Sequence, residues 1–93
     1  MAVIQWTKLA LLSRDEQMDY ILKFDAVAAL KIDQQIDSQT DILIANPLAG
    51  RPGRVKGTRE LVYTNTPFFS VYQYFEQLDV VRIIDFIHGR QNY

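Results

Sequence analysis

The sequence predicts an α+β fold of order β-α-α-β-β-β, an antiparallel sheet packed on one side by an α-helical hairpin. Three observations carry this. Apolar residues recur at helical spacing through the first half, the period changes after Pro47, and the last third alternates with aromatic and β-branched residues. The 93 residues make one domain, spanning 1–93, with no internal repeat, low-complexity segment or linker.

Val3–Trp6 is a short apolar run of strand type. Leu9, Leu12, Met18, Ile21 and Leu22 then follow at helical spacing up to Phe24. Ser13 opens an S-R-D-E capping box with Glu16, and Thr7 is the alternative start. Asp25 is placed to cap a second helix whose apolar stripe is Ala29, Ile32, Ile36 and Leu43, opposite Lys31, Asp33, Asp37 and Asp41. Asn46-Pro47 stops it. So short a break between two helices folds them into an αα-hairpin. Gly50, Pro52, Gly53 and Gly57 then make a tight loop, and residues 58–64 read as a strand. A turn at Asn65-Thr66-Pro67 leads to Phe68–Phe75, where Phe69, Val71 and Phe75 alternate with Ser70, Tyr72 and Tyr74. After a turn at residues 77–79, residues 80–87 are β-branched at five of eight positions and form the last strand.

Apolar residues make up 48% of the chain, enough for a globular core, and no run approaches the ~18–20 apolar residues of a membrane span. No signal peptide is visible, and with no cysteine there is no disulfide or thiolate zinc site. A cytoplasmic location is the expectation. Net charge is −1, against a strongly basic nucleic-acid binder, but its distribution is uneven. Residues 1–49 carry four Lys/Arg against seven Asp/Glu, whereas residues 50–93 carry six against four. Such asymmetry focuses a positive field over one face, unless it is ordinary surface charge.

Residues 50–62, GRPGRVKGTRELV, concentrate that field: Arg51, Arg54, Lys56 and Arg59 occur with no acid between them. Arginine suits phosphate because its planar fork donates two parallel hydrogen bonds. The plainer alternative pairs Arg59 with Glu60 of a neighbouring strand. Walker spacing is missing, so the loop is not a P-loop. The lone histidine, His88, falls at the end of the last strand before Gly89, placed either for proton transfer or simply to end the strand. Arg90 and Tyr93 follow within reach of the same substrate. The aromatics of residues 68–75 either stack bases or fill the core. With scattered acids and one histidine, neither a metal nor any other cofactor is expected.

Trp6-Thr7, the helical hairpin, residues 50–62, T-P-F-F-S-V-Y at 66–72 and I-H-G-R-Q at 87–91 together resemble the RelE/ParE toxins of bacterial type II toxin–antitoxin modules. The resemblance covers the whole chain and implies a cognate antitoxin as partner. It implies one of two targets. RelE-like members enter the ribosome and cut mRNA; ParE-like members inhibit DNA gyrase without nuclease activity. On the first reading, Lys56 and Arg59 contact the scissile phosphate, His88 and Arg90 supply proton transfer and charge, and Tyr93 stacks on a base. Arg51 and Arg54 bind the substrate strand. Ribosome-dependent mRNA cleavage is the expectation, with gyrase inhibition as the alternative. Phe68, Phe69 and Ser70 stand where many RelE-like members carry an arginine, which favours the alternative. The acidic balance also departs from the usually basic ribosome-dependent toxins. The cluster of His88, Arg90 and Tyr93 favours mRNA cleavage.

Overall fold

The computed structural model describes residues 1–90, and the helical hairpin covers one face of a five-stranded sheet. β1 is Val3–Trp6, and α1 (Lys8–Leu22) and α2 (Ala26–Thr40) form the hairpin. A short α3 (Ile42–Ala45) leads to β2 (Arg51–Pro52), β3 (Arg59–Val62), β4 (Phe68–Phe75) and β5 (Val80–His88). Across the sheet the order is β1-β5-β4-β3-β2. No helix among the described residues is long and apolar enough to cross a membrane.

Helix boundaries follow from capping. Thr7, not Ser13, starts α1: its backbone is extended and its hydroxyl accepts a hydrogen bond from Ala10 N at 3.2 Å. The S-R-D-E pattern lies inside the helix, where Arg14 has a different task. Asp25 caps α2 as expected, accepting from Ala28 N at 3.0 Å. The second helix does not run unbroken to Asn46. The Thr40 hydroxyl donates to Ile36 O at 2.6 Å, a back-bond that competes with the helical ladder, and the chain restarts as α3. Leu43 nevertheless stays on the buried stripe with Ile36 and Ala29.

The sheet is mixed rather than wholly antiparallel. β2 to β5 are joined by short turns, which force antiparallel neighbours. β1 reaches the sheet through the whole helical hairpin, so no turn fixes its direction, and it pairs parallel with β5. That position packs Ile4 and Trp6 against the core. β2 also belongs to the sheet although it reads as loop. Arg51 lies opposite Glu60 and Pro52 opposite Arg59, with Pro52 tolerated because the strand is an edge.

One extra residue in β5 decides what each end of that strand shows. Val71 pairs with Asp85 but Tyr72 with Ile83, so Ile84 is bulged out. Val81 and Ile83 face the helices before the bulge, and Phe86, opposite Ser70, faces them after it. Ile87 turns to the other side, where it meets Phe69 and Val71 in a second small core. His88, opposite Phe68, is thereby placed on the helical side.

Two polar devices fix this arrangement. Arg14 of α1 is nearly buried; its Nε and Nη2 donate to Asp33 Oδ1 at 3.1 and 2.8 Å, and Nη2 donates to Asp37 Oδ1 at 2.9 Å. Its guanidinium also lies 4.9 Å from the ring centre of Trp6, linking β1, α1 and α2. Burial opposes the charged form, yet the hydrogen bonds Arg14 donates to Asp33 and Asp37, with their negative charge, outweigh it and the pKa is raised. The second device is Tyr72, whose hydroxyl donates to Pro47 O at 2.9 Å and accepts from Gly50 N at 2.8 Å. It pins the segment between α3 and β2 onto β4. A Cβ at Gly50 would lie 2.6 Å from the Tyr72 ring and hydroxyl, so the backbone can approach only as glycine.

Replacing Arg14 by alanine should lower stability by about 1–2 kcal/mol in urea titrations, modest because both carboxylates keep solvent. Tyr72→Phe should cost about 1–3 kcal/mol by leaving Gly50 N and Pro47 O without their partner. Hydrogen exchange at the Gly50 amide should accelerate with it, and by more than in the α1–α2 hairpin, whose amides follow only the global loss.

Candidate functional site

The cationic segment becomes a hairpin, β2 and β3 joined by residues 53–58, standing at one edge of the sheet. Gly57 lets it turn: its φ of +89° is a conformation that side-chain-bearing residues rarely adopt. Arg54 and Lys56 are exposed on this turn. Arg51 is engaged, with its Nε and Nη2 on Glu60 Oε1 at 2.9 and 2.8 Å and its guanidinium 5.7 Å from the Phe69 ring centre. Glu60 therefore pairs with Arg51 and not with Arg59. Arg59 follows Glu60 directly in the chain, and successive strand residues point to opposite faces.

Arg59 lies opposite Tyr72 on the helical side of the sheet. Its Nη1 donates to Gly50 O at 2.8 Å and Leu48 O at 3.2 Å. Both acceptors belong to the segment that Tyr72 pins, so the hydroxyl of Tyr72 sets the arginine's position at one remove. Burial pushes the Tyr72 pKa up, against the hydrogen bond from Gly50 and the nearby positive charge of Arg59. Beside Arg59 is a cavity of about 270 Å³ lined by Leu48, Pro52, Gly57, Thr58, Arg59 and Tyr74.

His88 sits at the other end. Its ring makes an edge contact with Phe68, with centres 5.5 Å apart, and its Nδ1 accepts from Arg90 N at 3.1 Å. This hydrogen bond leaves Nε2 as the position for a proton. Arg90 is exposed in the turn that follows; Tyr93 lies outside the described residues. Arg59 is aligned with Tyr72 and His88 with Phe68, four residues apart along β4 and on strands two apart. Strand geometry places their Cα atoms about 16 Å from each other. The structure thus sets Arg51 and Arg59 on opposite faces of the β2–β3 hairpin, and places His88 and Arg90 at the other end of β4.

Sequence reasoning missed Leu48, and it named Tyr72 and Tyr74 only among the aromatics that stack bases or fill the core. Tyr72 reads as one more aromatic in an alternating strand, and only the folded chain shows its hydroxyl meeting a loop 22 residues away. Leu48 had no signal beyond its position after Pro47.

Comparison with known proteins fits this fold. Residues 4–93 match the family described as the ParE toxin of type II toxin–antitoxin systems. A protein of Sinorhizobium fredii named as toxin Y4kP is 36% identical over 90 residues, which span 97% of this chain and 91% of the relative. Among solved structures, the chromosomal ParDE toxin–antitoxin system from P. aeruginosa superposes with a TM-score of 0.82 at 28% identity, over 95% of this chain and 96% of that one. The intact RelBE toxin–antitoxin complex of E. coli shares the fold, with a TM-score of 0.62 at 12% identity over 98% of this chain and 100% of that one. Within the RelE/ParE superfamily, this chain belongs to the ParE toxins of type II toxin–antitoxin systems.

Proposed function

We propose that this toxin arrests growth by binding DNA gyrase and holding it inactive, with no bond-making chemistry of its own. The observation that carries this reading is the separation of Arg59 from His88. Cleavage by an adjacent 2′-hydroxyl requires proton transfer and charge stabilisation at a single phosphorus, within hydrogen-bond reach of both groups. Ideal strand spacing puts the Cα atoms of Arg59 and His88 about 16 Å apart across the sheet, and the Arg59 side chain is tied back to residues 48–50. Positions 68–70, where an added cation would serve a nuclease, are instead buried as Phe68, Phe69 and Ser70. The stronger likeness to the ParDE system than to RelBE supports the same reading.

A cognate antitoxin is the partner that restrains it. Leu22, Phe24, Val27 and Leu30 are exposed along the outer side of the hairpin, more apolar surface than a solvated helix pair needs. We read this surface, or an open edge of the sheet, as what the antitoxin covers.

A second reading, ribosome-dependent mRNA cleavage, rests on His88 and Arg90 lying side by side at the end of β5. One pair of assays separates the two. The purified toxin should block DNA supercoiling by gyrase and leave mRNA intact on translating ribosomes. Cut mRNA with supercoiling unaffected would overturn the gyrase proposal. His88→Ala should arrest growth as the wild type does, whereas an acid–base role would reduce activity by about 10²–10⁴.

A further inference from the structure

We propose that the cavity beside Arg59 is a receptor for a carboxylate presented by another protein, an aspartate or glutamate side chain with an apolar neighbour. The three arginines described in detail above differ in one respect. Arg14 and Arg51 are each bound to carboxylates. Arg59 is held by two main-chain carbonyls, which orient its guanidinium without neutralising it. Among the described residues no carboxylate pairs with Arg59, and nothing hydrogen-bonds its Nε or Nη2. A carboxylate can take that free edge with two parallel hydrogen bonds.

The position is also prepared in advance. Tyr72 pins Pro47 and Gly50, and the Leu48 and Gly50 carbonyls fix Arg59. An incoming anion therefore does not have to order a free side chain, a cost that otherwise opposes binding. Leu48 and Pro52 offer exposed apolar contact beside the charge. The cavity is open to solvent and seats one protruding side chain rather than enclosing a free metabolite.

Tyr74, which lines the cavity, is itself held in place: it donates to Asp79 Oδ1 at 2.7 Å, and Asp79 Oδ2 pairs with the Met1 ammonium at 3.2 Å. The arrangement is independent of whether gyrase is the target, because it concerns only what this cavity holds.

The test is a titration of the full-length, nitrogen-15-labelled protein, followed by NMR at Arg59 Nε and the Gly57 and Thr58 amides. The probes are acetyl-Leu-Glu-amide, acetyl-Leu-Gln-amide and inorganic phosphate. The glutamate peptide should shift these signals saturably, and the glutamine peptide should need at least tenfold more. Arg59→Gln should weaken the glutamate peptide at least tenfold, and Arg59→Lys should fall between, having charge without the fork. Equal response to the two peptides, or phosphate binding tenfold tighter than the glutamate peptide, would overturn the proposal. So would an unchanged response in Arg59→Gln. Because the peptide comparison is made on the wild type, it decides the matter even if the variants fold poorly. No gyrase is present, so the result is separate from the supercoiling assay.

Discussion

One nearly buried cation ties the two helices of the hairpin to each other and to β1, beside the apolar core that joins the helical layer to the sheet. Arg14 reaches from α1 to two carboxylates of α2 while lying over Trp6 of β1, so three successive elements share one side chain. Apolar packing alone resists sliding only weakly, because one leucine contact can exchange for another. A guanidinium held by Asp33 and Asp37 has direction, and it fixes how α1 and α2 sit against each other and on the sheet. A hydroxyl chain, Thr40 to Tyr63 to Ser70, adds a directional tie from α2 through the core to β4, at 2.8 and 2.7 Å. Burial pushes the Tyr63 pKa up, which keeps this phenol protonated and able to donate.

On that frame the sheet offers two chemically different ends. One carries the β2–β3 hairpin with its four cations: Arg51 neutralised by Glu60, Arg59 oriented by carbonyls, Arg54 and Lys56 exposed. The other carries His88 and Arg90. A binding protein can use such separated features, since a large partner spans both. A catalyst for one phosphodiester needs them within a few ångströms. The distance along β4 therefore bears on mechanism more directly than the presence of either set.

The bulge at Ile84 shows how a small irregularity redirects the faces of a strand. Without it, Asp85 and Ile87 would share the helical face with Val81 and Ile83, and His88 would point away from the helices. With it, both Phe86 and His88 turn to the helical side and Ile87 completes the small opposite core. A run of β-branched residues carries no mark of where a strand will slip by one, because the slip is chosen by the packing of two layers at once.

Local chemistry made much of this protein legible from its sequence: strand β1, the Asp25 cap, the hairpin of helices, the limits of β4 and the kinship to the RelE/ParE toxins. Each depends on residues close together in the chain, where capping, periodicity and turn preference act. Tertiary structure decided the rest. The direction of β1, the recruitment of Arg51 and Pro52 into the sheet, the exchange of Glu60 from Arg59 to Arg51 and the distance between Arg59 and His88 all depend on strand register. Register is fixed by contacts between segments far apart in sequence, and the identity of a residue does not announce which neighbour it will meet.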